Sequence, residues 1–408
     1  MGRIEAGLAI VHGRIIENAR IPSPRDEYYE TVIIPGFSDA HMHPQVVDGG
    51  LNPRRLWRDS YEWISGRRLR VDEAALRADL NLSARLAKAV YELSLLEGVT
   101  LVAVTGNAEA NIRAWLSMDT APRAVFLPTV MKKPGWPTVR VAEGILRRLR
   151  GLLDDGLTRI GVFVHSIRLA GEDQLVEAVG RAKLLGGVVG LHLGEGVPEA
   201  EIYWKVTKGS SLGVRVVAVH CISDSDPSRY GLLCASCPAT NLILYGYTRS
   251  SLRGVTSFGS DWPLLLGTVA RHIPLIYRAF GGFIEGILRR LTVGGYKDYG
   301  ISYSGDLVAF DVKLEKLLSN FTPPKLVMVA GRPAVVEGVL RNSGLTQRDL
   351  ERKIRRLIKE AIEKYGASDA PKGDPIQEAR EALESLIIRQ GSPARSRVGY
   401  LFRGGYGV

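Results

Sequence analysis

Eight apolar runs of strand length, separated by stretches of helical periodicity, constrain this chain more than any other feature. They are Thr31–Ile34 running into Pro35–Asp39, Thr100–Val104, Ala124–Leu127, Ile160–Val164, Val188–Leu191, Val214–Val219, Leu232–Ser236 and Val255–Phe258. Residues 72–97, 138–153 and 172–185 carry apolar side chains at helical spacing, as do 271–290 after the last run. The late crossovers, near 224–231 and 247–252, leave room for a turn or two of helix. Such alternation predicts a parallel sheet covered by helices. Eight units over about 265 residues match the size of a (β/α)8 barrel. The flanks differ. Residues 1–33 and 304–340 hold short alternating strands, such as Leu8–Val11, Asp306–Phe310 and Leu326–Ala330. They are expected to pair into a small β-sandwich beside a barrel spanning 34–303. Residues 341–408 form a charged tail, with an amphipathic helix over Thr346–Tyr365 and a Gly-, Ser- and Arg-rich end expected to be poorly ordered.

With 45% hydrophobic residues over 408 positions, a large core is available. No apolar run reaches the roughly 18–20 residues that cross a bilayer. The first residues have neither a signal-peptide profile nor a myristoylation signal, so a cytoplasmic protein with no membrane partner is expected. Three cysteines, Cys221, Cys234 and Cys237, cannot build a disulfide framework. A net charge of +11 raises the question of nucleic acid. Many basic residues, however, stand at i,i+4 from acidic ones, such as Asp349 with Lys353 and Glu351 with Arg355, and no nucleic-acid-binding signature appears. No nucleic-acid partner is expected. Scarce Asn and Gln beside plentiful Arg and Glu suit a thermophile.

Seven histidines are present, and five fall at the C-terminal end of a predicted barrel strand: His41, His43, His165, His192 and His220. His12 and His272 lie elsewhere. Barrel active sites are built at that end. Residues two apart on a strand point the same way, so His41 and His43 can face one metal ion.

His41-Met42-His43 follows Pro35-Gly36-Phe37-Ser38-Asp39-Ala40. Here the sequence resembles the amidohydrolase superfamily, whose first strand commonly ends Pro-Gly-Phe-x-Asp-x-His-x-His. His192-Leu193-Gly194-Glu195 resembles the fifth-strand His-x-x-Glu of the family's deaminase branch, which includes cytosine, guanine and chlorotriazine aminohydrolases. Val219-His220-Cys221 resembles its sixth-strand His. Cys237-Pro238-Ala239-Thr240-Asn241 resembles the seventh-strand Cys-Pro-x-x-Asn, and Gly259-Ser260-Asp261 the eighth-strand Gly-Ser/Thr-Asp. The resemblance covers about residues 5–340 and includes the flanking sandwich. Trp262-Pro263 departs from the small or polar residues usual after the aspartate.

Three neutral imidazoles and a carboxylate suit a borderline cation, Zn2+ first and Fe2+ next. The resemblance supports His41, His43, His192 and Asp261 as its ligands. No Lys lies between Thr158 and Ala170, where two-metal relatives carry a modified lysine, so one metal is expected. Asp261 is also a candidate base for the attacking water, and His220 would orient that water or polarise the substrate. Glu195 would carry a proton to a ring nitrogen and a leaving amine. His165 occupies a place where the branch often contacts substrate. The reaction expected is hydrolytic deamination of a small nitrogen heterocycle. Ring opening of a cyclic amide or amidine at the same site is the alternative, and a non-catalytic metal-binding barrel used in assembly is the second. The CxxC of Cys234 and Cys237 places its sulfurs on opposite faces of a strand, which argues against redox chemistry there. Trp57, Tyr61 and Trp63 follow the first strand, where they either line a substrate pocket or pack the loop. The tail helix suits docking or formation of a homo-oligomer.

Overall fold

A computed structural model describes residues 2–11, 14–23, 27–52, 55–154, 156–185, 187–209, 213–224, 226–281, 283–366 and 371–391. Its flanking strands at the start of the chain are β1 (Gly2–Val11), β2 (Arg14–Ser23) and β3 (Glu27–Pro35). The barrel strands are β4 (Phe37–Met42), β5 (Val99–Gly106), β6 (Arg123–Val130), β7 (Thr158–Val164), β8 (Val188–Leu193), β9 (Arg215–His220), β10 (Leu233–Ser236) and β11 (Ser257–Phe258). Then come β12 (Leu307–Phe310), β13 (Leu326–Val329), β14 (Arg332–Val336) and β15 (Val339–Leu340).

Strands β4 to β11 pair in parallel and in chain order. Alternation along them divides the core in two. Leu101, Ala103, Val125, Leu127, Val217 and Val219 point into the barrel, while Val102, Val104, Phe126, Val216 and Ala218 point out to the helices. Tyr296 and Tyr299 join the interior cluster, and the Tyr299 hydroxyl donates to the Ala40 carbonyl at 2.7 Å. The cylinder closes by a parallel bridge between Met42 and Asp261. There His43 N donates to Asp261 O at 2.8 Å, and Asp261 N donates to His41 O at 3.0 Å. Gly259 makes this closure feasible, because a Cβ there would meet His41 backbone and Cβ atoms at 2.9 Å.

The first apolar run divides differently from the sequence expectation. Thr31–Ile34 belongs to β3 in the flanking sheet, and the barrel starts only at Phe37. Gly36 separates the two, where a side chain would overlap Thr100. The flanking sheet has the order β15-β14-β13-β12-β3-β1-β2, so antiparallel pairing of β3 with β12 joins the two ends of the chain. One face carries Val32, Ile34, Val308 and Phe310 against the main core. The other carries Ile33, Ala309, Leu326 and Met328 with Ala6, Ala9 and Ala19, giving the flanking sheet a second, smaller core.

The helical stretch 72–97 is two helices, Glu73–Ala78 and Leu80–Leu96, with Asp79 ending one and capping the other. After β10 the main crossover element is the helix Pro238–Tyr245, upstream of the stretch 247–252. The tail contains the helices Gln347–Tyr365 and Pro375–Gly391, and its expected poorly ordered end, 392–408, lies outside the described residues. Thr346 and Asp349 form a reciprocal cap on the first helix. The expected ion pairs within this helix are not formed. Lys353 instead reaches Glu92 at 2.6 Å and Glu351 pairs with Arg271 at 2.7 Å, so these charges dock the helix onto the barrel. No described helix is long and apolar enough to cross a membrane.

Candidate metal centre

His41 sits where β4 carries one residue more than β5, between Asp39 and Met42, and His43 follows directly after the strand. This bulge lets Ala40 and His41 both face inward while Met42 faces out. His192 comes from β8, and Asp261 follows β11 with a positive φ of 67°. One donor atom from each of these four residues lies within 4.8 Å of the others. The Nε2 atoms of His41 and His43 are 3.0 Å apart, and those of His41 and His192 3.2 Å. Asp261 Oδ1 lies 3.3 Å from His43 Nε2 and 3.5 Å from His41 Nε2.

Surrounding groups fix these rings. Phe163 stacks on His41 with centroids 5.1 Å apart, in space left by Gly190, where a Cβ would meet that ring at 2.6 Å. Thr105 Oγ1 donates to Met42 O at 3.1 Å and so accepts from His43 Nδ1 at 2.7 Å, leaving Nε2 free as a donor to metal. His220 ends β9 at φ 73°. Its Nδ1 donates to Asn241 Oδ1 at 2.8 Å, which turns Nε2 to within 3.6 Å of Glu195 Oε1. The Tyr245 hydroxyl donates to the same carboxylate oxygen at 2.6 Å.

Burial pushes the imidazoles of His43 and His192 well below their ordinary pKa and lowers that of His41, so all three are neutral ligands in waiting. Burial opposes charge on Asp261 as well. The hydrogen-bonding contact with His41 and the neighbouring His220 and His43 rings outweigh it, and the carboxyl is held well below its usual range. Burial raises Glu195. Three imidazole nitrogens and a carboxylate oxygen this close offer one another no complete set of hydrogen-bond donors and acceptors. A divalent cation of borderline softness accepts all four, so the residues fit the group.

The donors open into a cavity of about 540 Å³, whose wall includes His165, Glu195 and His220. His165 lies 4.9 Å from His192 between ring centroids, and burial pushes its pKa down to about 3. All seven residues singled out from the sequence thus meet at one end of the barrel. Of the three flanking aromatics, Trp63 lines the cavity, whereas Trp57 is buried in the main core and the Tyr61 hydroxyl donates to Glu199 at 2.5 Å. His272 is buried elsewhere, and His12 lies outside the described residues. Cys234 faces the outer core in a disulfide with Cys221, Cα atoms 6.4 Å apart, and Cys237 is free inside the barrel. Thr105, Phe163 and Tyr245 went unnoticed in the sequence. Tyr245 had a readable signal, since it stands four residues after Asn241 on one helix face.

No family model matches the sequence, and no curated protein matches it either. Solved structures do match. An adenosine deaminase from Xanthomonas campestris with bound zinc has a TM-score of 0.70 at 17% identity, over 89% of this chain and 98% of that one. An atrazine chlorohydrolase from Arthrobacter aurescens TC1 complexed with zinc has a TM-score of 0.69 at 17% identity, over 89% and 100%. An amidohydrolase from an environmental sample of the Sargasso Sea has a TM-score of 0.61 at 16% identity, over 89% and 99%. Barrel, two-ended flanking sheet and these superpositions agree that the chain shares the fold of these three structures.

Proposed function

We propose that this protein is a metal-dependent hydrolase that deaminates a small nitrogen heterocycle, with His41, His43, His192 and Asp261 holding one divalent ion, zinc in the first place. When bound, the ion supplies the Lewis acidity that makes water a nucleophile at neutral pH. The observation that carries the reading is Glu195. Its buried carboxyl, raised in pKa, lines the cavity beside His220 and the four donors, yet it is not one of them. A carboxyl whose pKa is raised holds its proton more readily and can give it to a ring nitrogen next to the attacked carbon. Asp261, which keeps its charge, is the base for the attacking water. His220, locked by Asn241, offers Nε2 to hold that water or the substrate oxygen it becomes. Glu195, now a carboxylate, takes the proton of the added hydroxyl and passes it to the amine, which leaves as ammonia as the C–N bond breaks and the C=O bond forms. The proton held by Asp261 then restores Glu195. The matching structures include, by name, a deaminase and a chlorohydrolase, so the leaving group is not set by the fold.

The test pairs metal analysis of the purified protein with a heterocycle panel scored for ammonia and for ring opening. Stoichiometric metal and ammonia release are expected. Glu195→Gln should keep the metal and lower kcat about 10²–10⁴-fold. A protein that binds no divalent metal, or a variant with undiminished turnover, overturns the reading.

A further inference from the structure

The cavity wall contains cationic groups that the deamination chemistry does not use. Arg77, on the helix Glu73–Ala78, lies with its guanidinium carbon 3.1 Å from the ring centroid of Trp136. Trp136 stands edge-on to His165 at 6.5 Å, and His165 to His192 at 4.9 Å. Arg77 is therefore three contacts from a candidate metal ligand, along a wall of flat rings. Its Nη2 donates to Gly135 O at 3.3 Å, but its Nε is buried without an acceptor. Among the described residues no carboxylate pairs with Arg77 or with Lys133, which lines the same cavity.

The nearby acids are engaged elsewhere. Glu73 holds Arg67 at 2.6 Å, and Asp72 accepts the N–H groups of Ala74 and Ala75. Burial pushes the Arg77 pKa down to about 10. Burial outweighs the field of Glu73 at Arg77, and a desolvated cation with no carboxylate paired directly to it gains from a ligand that brings the anion. A guanidinium spread flat on an indole is also preorganised to fork onto a carboxylate or phosphate.

We infer that the substrate carries an anionic group, carboxylate or phosphate, which Arg77 binds with help from Lys133 while the heterocycle lies over Trp136 and His165 toward the four donors. This specificity rests on the function proposed above.

Nicotinate and 3-acetylpyridine are flat rings of similar size that differ in charge, and neither carries an amine or amide to hydrolyse, so they probe the subsite without turnover. Calorimetric titration of the metal-loaded protein is expected to give nicotinate at least a tenfold tighter Kd. Arg77→Gln should abolish that preference, and Arg77→Lys should keep part of it, which separates lost charge from misfolding. A preference that survives Arg77→Gln means the carboxylate sits on the metal ligands and overturns the inference, as does equal binding in the wild type. Ammonia release from adenosine against adenosine monophosphate, and from an aminopyrimidine with and without a ring carboxylate, tells phosphate from carboxylate. In Arg77→Gln, KM for the charged member should rise at least tenfold with kcat unchanged. Arg77-dependent nicotinate binding without ammonia from any compound sinks deamination and keeps the anion subsite. Ammonia release with no preference for charge does the reverse.

Discussion

His220, Cys221 and Asp261 each adopt a positive φ, at 73°, 51° and 67°. Such backbone costs non-glycine residues about 1–3 kcal/mol each and persists where its surroundings demand it. Here it turns an imidazole and a carboxylate over the barrel mouth. The histidines were legible because chemistry picks them out: five stand at strand ends in a chain that has seven. The residues that orient them were not, because Thr105 is one of many threonines until the fold sets it 2.7 Å from His43 Nδ1. Loss of such a partner typically weakens a metal site 10–100-fold. Thr105→Val is therefore expected to lower zinc affinity by about that factor while leaving the fold intact. Competition with a chromogenic chelator measures this, and an unchanged affinity removes Thr105 from the site.

Strands buried on both sides announce themselves as unbroken apolar runs, which is why the barrel strands could be located in the sequence. Boundaries set by tertiary contact were less visible. The division between β3 and β4 depends on Gly36 passing Thr100, and the split of 72–97 on Asp79. The helix Pro238–Tyr245 is short and nearly all apolar, so it shows little amphipathic signal; yet it delivers Asn241 to His220 and Tyr245 to Glu195. Asp79 caps the helix Leu80–Leu96 through the N–H groups of Asn81 and Leu82. It also takes Lys364 at 2.7 Å and the Tyr365 hydroxyl at 2.8 Å from the tail. Lys364 above all, then the Leu82 N–H and Tyr365, hold its carboxyl well below the usual carboxylate range. A depressed carboxyl stabilises the fold above its unfolded pKa, and that contribution disappears as pH falls through the folded value. Asp79→Asn keeps the cap and loses the charge. Denaturant unfolding should find it less stable than wild type at pH 7, with the gap narrowing from about pH 4 downward. A gap independent of pH would refute the ionic role.

At the scale of the molecule, the tail is part of the barrel's coat. The helix Gln347–Tyr365 buries Leu350, Ile354, Leu357 and Ile358. Arg70, itself buried, holds Asp48 at 3.0 Å and Glu378 of the last helix at 2.5 Å, linking the tail to the loop that follows His43. The periodicity of 346–365 revealed an amphipathic helix, but whether its charges would face one another or a distant partner depended on packing that one sequence does not display. Leu357→Ala is expected to destabilise the protein by about 2–5 kcal/mol. Equilibrium unfolding checks this, and a loss under about 0.5 kcal/mol, as for an exposed site, would show the helix undocked. The barrel's closing bridge has a consequence of its own. First and last staves of the cylinder meet at His41, Met42, His43 and Asp261, so three of the four donors straddle its single seam, and His192 reaches them from β8. Whatever gathers those donors also fastens the join, and the grip on the ion and the cohesion of the cylinder are one equilibrium.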